Sequence, residues 1–98
     1  MTDLAFVQEV ERVIVVYEKA IGHYASRTRQ MIEQHGEVGA LSRLMVSADL
    51  QQGFKVLRDS GQLDETFEAV IVRHRHLFGP DAVDVAQWRL ANPHQLFN

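Results

Sequence analysis

Five histidines are many for a 98-residue chain: His23, His35, His74, His76 and His94. Two histidines grip a metal from one helix when they stand three or four residues apart, because both rings then share a face. None of these five has a histidine partner at that spacing. His74 and His76 are two apart, which places them on one face of a strand but about 200° apart on a helix. The carboxylate pairs Glu65/Glu68 and Asp81/Asp84 have the spacing to share a helix face and could be drawn as divalent-cation sites. Each pair also falls in the first turn of a predicted helix, where an acid is stabilised by the backbone dipole, and that simpler account suffices. The chain has no cysteine, so thiol catalysis, zinc ribbons and disulfides are excluded. Ser26, Ser42, Ser47 and Ser60 lie in no G-x-S-x-G context. Neither phosphate-binding glycine motif is present. Gly36 and Gly39 bracket a helix start and could offer amides to an anion, but no lysine follows them. The expectation is a protein that is not an enzyme and holds no metal or cofactor.

Charge distribution is more informative than any motif. The net charge of −3 is uneven. Residues 1–22 carry −2, residues 23–58 carry +2, residues 59–72 carry −4 and residues 73–98 carry +1. Two basic clusters stand out. One is Arg27 and Arg29, beside Tyr24, Gln30 and Gln34. The other is Arg73-His74-Arg75-His76. Arginines interleaved with an aromatic can contact phosphates, so Arg27, Arg29, Arg73 and Arg75 are candidate anion or nucleic-acid contacts if they converge. A sequence pI of about 5.9 argues for solvated faces instead.

The elements that must position these residues follow from apolar spacing. Phe6, Val10, Val13, Tyr17 and Ile21 recur every three or four residues, which predicts a helix from about Asp3 to Ala20. The β-branched run Val13-Ile14-Val15-Val16 lowers helix propensity, but the periodicity continues on both sides of it. Gly22 breaks the chain. A second helix carries Thr28, Met31, Ile32 and His35 inward and stops at Gly36. A third, about Glu37 to Val46, buries Val38, Leu41, Leu44 and Met45. Ser47 and Asp49 are candidate caps for a fourth, which buries Leu50, Phe54 and Leu57 and ends before Gly61. With its predecessor this helix has the spacing of a helix-turn-helix, offering Gln51, Gln52, Lys55 and Arg58 outward. Asp64 is the candidate cap of a fifth, with Phe67, Val70 and Ile71 buried, although Val70-Ile71-Val72 could be extended. Gly79-Pro80-Asp81 starts a sixth, since proline at the first helical position forfeits no hydrogen bond. Its stripe is Val83, Ala86 and Leu90, and Asn92-Pro93 stops it. The sum is an all-α, compact bundle of five or six short helices in a single domain, 1–98, with the tail 93–98 loosely held.

Partner surfaces come next. Val7, Ile14, Val15 and Val16 add to the stripe of the first helix, and a helix apolar nearly all round is buried on several sides. Either it is the central helix of the fold or it docks to another protein. Trp88 lies near the end of the chain, where so small a core need not cover it. Val7, Ile14, Val15 and Trp88 are therefore the candidate partner interface, and Leu96 and Phe97 could dock.

Several segments taken together resemble a small all-helical domain of bacterial proteins over roughly residues 17–91. They are Gly39-Ala40-Leu41 to Leu44, Gly53-Phe54 to Leu57, Gly61-Gln62-Leu63-Asp64-Glu65-Thr66-Phe67-Glu68-Ala69-Val70, Leu77-Phe78 to Ala86, and Arg89-Leu90. The resemblance implies an all-α fold, a bacterial or mobile-element origin and a loose association with nucleic-acid-processing or defence proteins. It implies no activity and no site residues.

No apolar run approaches the roughly 20 residues of a membrane span, and the N-terminus lacks a signal-peptide pattern. The expected setting is cytoplasmic. The expected function is that of a non-enzymatic interaction module, acting through self-association (a homodimer or larger homo-oligomer) or a protein partner. The alternative is a nucleic-acid-binding accessory that uses the arginine clusters.

Overall fold

A computed structural model describes residues 3–47 and 51–95. The first helix, α1, is Leu4–Ile21. Asp3 caps it, its carboxylate accepting from Ala5 N at 3.0 Å and Phe6 N at 3.3 Å, and Gly22 closes it in the left-handed conformation at φ 81°. The β-branched run is helical because Val13 and Ile14 are both fully buried, and packing outweighs a few tenths of a kcal/mol of propensity per residue.

Helix α2 is Ser26–Met45. The predicted stop at Gly36 appears inside it as a break with φ 75° and ψ 172°. The segments on either side form one kinked element, so five α-helices and no strand are present among the described residues. Helix α3 is Gln51–Asp59, followed by a 3-10 turn at Leu63–Glu65. Helix α4 is Phe67–Arg73, a second 3-10 turn is Arg75–Leu77, and α5 is Pro80–Ala91. Val70-Ile71-Val72 is thus helical. Ala48, Asp49, Leu50, Leu96 and Phe97 lie outside the described residues.

The expected cap of α4 was Asp64, and the structure corrects it to Thr66. Leu63–Glu65 turns too tightly to begin the helix, and Thr66 takes the extended conformation a cap requires. Its hydroxyl accepts from Ala69 N at 3.1 Å and donates to Leu63 O at 2.7 Å. Glu65 therefore lies outside α4, and the pair Glu65/Glu68 shares no helix face.

The core is built around α1. Phe6, Val10, Val13, Ile14 and Tyr17 meet Leu41, Leu44 and Met45 of α2, Phe67, Val70 and Ile71 of α4, and Phe78, Val83 and Ala86 around α5. Helix α3 packs on α1 and buries Phe54 and Leu57. The candidate interface residue Ile14 is only 1% exposed. It stands one turn from Val10 and belongs to the core, so it is not a partner contact. His35, expected inward, is exposed, and Arg58, expected outward, is largely covered. The Arg58 guanidinium donates to Pro93 O at 3.1 Å, which fastens the start of the tail to α3. The radius of gyration of 12.4 Å matches the roughly 13 Å of a compact chain of about 100 residues.

Gly53 has a role its sequence context does not reveal. It is buried on α3, and the Tyr17 ring lies where a β-carbon would stand. Alanine is intrinsically better in a helix by about 1 kcal/mol. Here the added methyl must displace a buried ring, and such overpacking costs about 1–3 kcal/mol. Gly53→Ala is expected to lower the thermal unfolding midpoint. An unchanged or raised midpoint by circular dichroism would show that Tyr17 has room to move.

Candidate functional site

The acids of α1 engage Arg29, Arg73 and His74 from outside the helix. Glu9 and Glu18 are nine residues apart, about half a turn round the helix and about 13–14 Å along it. Glu11 stands beside Glu18 on the same flank of the buried stripe. Arg29 reaches this flank from α2, donating to Glu18 at 2.8 and 2.9 Å and to Glu11 at 3.0 and 3.2 Å. The Arg29 guanidinium also lies 5.0 Å from the centre of the Tyr24 ring. Its hydrogen bonds hold the Glu18 carboxyl below its ordinary range, against a smaller opposing effect of burial. Glu18 in turn raises the pKa of Arg29.

The other flank faces the end of α4. Arg73 donates to Glu9 at 2.7 Å and to Asp64 O at 2.9 Å, and His74 Nε2 is 2.6 Å from Glu9. Phe6 meets the His74 ring edge-on at 5.0 Å. Burial pushes the Glu9 carboxyl up, but the hydrogen bonds from His74 and Arg73 outweigh it and leave the pKa below the ordinary value. Between the flanks, Arg12 pairs with Glu65 of the 3-10 turn.

The two predicted basic clusters therefore end on opposite flanks of α1. Arg29 and Arg73 are each engaged by acids. Arg27 is exposed in the first turn of α2, and Arg75 is exposed in the second 3-10 turn. His74 and His76 have ring centres 6.3 Å apart. Among the described residues no group of three or more histidine, aspartate or glutamate side chains is placed to hold a metal ion. A hollow of about 370 Å³ opens at the α1–α2 turn, lined by Tyr17, Ile21, His23, Tyr24, Arg27 and Thr28. The Glu9–His74 pair does not line it.

One buried ion pair escaped the sequence reading. Glu68, read there as a dipole acid, is 2% exposed. Arg89 donates to it at 3.2 Å and to Met45 O at 2.9 Å. One guanidinium thus joins α4, α5 and one of the unpaired carbonyls at the end of α2. Burial raises the Glu68 pKa, opposed by its own backbone amide and by Arg89. The only legible signal was a glutamate inside the apolar run Phe67 to Ile71.

Of the remaining interface candidates, Val7 is half-buried, Val15 is 40% exposed and Trp88 is 48% exposed. Val46 is 86% exposed at the rim of a shallow, mostly apolar hollow that Met45, Ala82 and Val85 also line. No helix of the described residues is long and apolar enough to cross a membrane. No family model, curated protein or solved structure matches the chain, so the bacterial-domain resemblance receives no support from these comparisons.

Removing one member of a buried pair leaves an uncompensated charge and costs about 3–5 kcal/mol, whereas replacing both with apolar groups is often neutral or stabilising. Arg89→Met is expected to unfold at much lower denaturant at pH 8, and Glu68→Leu/Arg89→Met to recover most of the loss. Because the Glu68 pKa is raised, protonation favours the folded state, so the Arg89→Met deficit should shrink as pH falls toward 5. A deficit that is independent of pH would mean that the pair acts through packing alone.

Glu9 has the opposite sign. Its folded pKa is depressed, so its contribution is present above the ordinary value of 4.5 and is lost as pH falls below it. Glu9→Gln should lower stability at pH 7 and flatten the acid limb of an unfolding series between about pH 5 and 3. An unaltered slope would show that Glu9 does not report there.

Proposed function

We propose that this chain is a non-enzymatic, cytoplasmic interaction module of bacterial origin, acting through self-association or a protein partner. The observation that carries this reading is the exposure of Trp88 and Val46 at the surface. Large apolar side chains at a surface are typical anchors of protein contacts, tryptophan above all. The distribution of ionisable groups supports the same reading. Glu9, Glu11, Glu18, Glu65 and Glu68 each pair with a cation of another element, which is an architectural use of charge.

Photo-crosslinking in the native host tests it. A photoreactive residue is placed at Val46, at Ala91 one turn beyond Trp88, and at Glu33 on the exposed polar side of α2. Discrete adducts at position 46 or 91, with another protein or a second copy, are expected, and none at 33. Equal, diffuse labelling at all three positions would overturn the reading.

A further inference from the structure

The α1–α2 junction shows how this chain satisfies an exposed aromatic beside carboxylates. Tyr24 is 65% exposed, Arg29 lies over its ring, and Glu11 and Glu18 pair with the same guanidinium. A cation between an aromatic face and carboxylates gains from both.

Helix α5 repeats two of these three parts. Asp81, Asp84 and Trp88 are spaced i, i+3 and i+7, so they form one stripe. All three are exposed, while Val83 and Ala86 on the opposite side enter the core. The dipole accounts for Asp81 in the first turn. Asp84, expected in the first turn from the sequence, lies beyond it, where the dipole effect has fallen off. Its neighbour one turn on is Trp88, with β-carbons about 5–6 Å apart in such a pair. Among the described residues no cation lies over Trp88, and none pairs with Asp81 or Asp84. The third part is missing among the described residues.

We propose that the outward face of α5 docks a basic segment of a protein partner, with an arginine or lysine side chain over Trp88 and its charge paired to Asp84. Charge complementarity selects this occupant. The stripe is acidic and aromatic, so it repels phosphates and attracts guanidinium or ammonium groups. The proposal rests on the interaction-module reading and names the chemistry of the partner.

Trp88 is the only tryptophan, so its fluorescence reports this face directly. The full chain is titrated with an octa-arginine peptide and, separately, with an octa-glutamate peptide. A saturable spectral change with octa-arginine alone is expected. Asp84→Asn should weaken binding roughly tenfold, the size of a partly desolvated cation contact of about 1–2 kcal/mol. Glu33→Gln, which changes the net charge by the same amount elsewhere, should leave the affinity within about twofold, since distant exposed charges are screened. Circular dichroism confirms that both variants are folded. No spectral response, or equal weakening by Asp84→Asn and Glu33→Gln, would overturn the proposal. Crosslinks at position 46 together with a silent Trp88 would sink the α5 assignment and leave the interaction-module reading standing.

Discussion

Helix α1 must bury Phe6, Val10, Val13, Ile14 and Tyr17 while carrying carboxylates on both borders of that stripe. A buried stripe bordered by acids favours neighbours that bring both apolar surface and cations, as α2 and α4 do. Helix α2 supplies Arg29 against Glu11 and Glu18, and α4 supplies Arg73 and His74 against Glu9. Two borders half a turn apart draw the two arginine clusters to opposite sides of one helix. The same geometry that closes the core therefore keeps those clusters from forming one basic patch.

A second constraint acts where α1 does not reach. Helix α4 is only seven residues long and carries Glu68 among its buried residues. A lone buried carboxylate would be too costly to ionise. Arg89 answers it and at the same time accepts the task of satisfying Met45 O at the end of α2. Turning Arg89 inward leaves the outward side of α5 to Asp84 and Trp88. The exposure of Trp88 and the burial of Glu68 are thus linked through the orientation of a single helix.

Much of this was legible before any coordinates. Three- and four-residue spacing marked the buried faces of α1, α4 and α5, because a helix can bury one stripe only if apolar residues recur at its period. Gly22 and Pro80 marked boundaries because their backbone preferences are local properties. The partner of each charge was not legible. Arg29 and Glu18 are 11 residues apart, Arg73 and Glu9 are 64, and Glu68 and Arg89 are 21. Nothing in a local window distinguishes a buried Glu68 from a solvated first-turn acid. Gly53 was equally silent, since its reason is a ring 36 positions earlier.

Local physics, then, was enough to determine that this chain is helical, where most of its helices begin and end, and which side of α1, α4 and α5 faces inward. Such properties depend on backbone sterics and on apolar period, and both are written within a dozen consecutive residues. Tertiary structure alone decided that Ile14 is core, that Thr66 rather than Asp64 caps α4, and that Arg29 and Arg73 face acids. It also decided that Asp84 and Trp88 stand without a cation among the described residues. These outcomes depend on what lies opposite a side chain, and distance in space is fixed only when all the helices have packed.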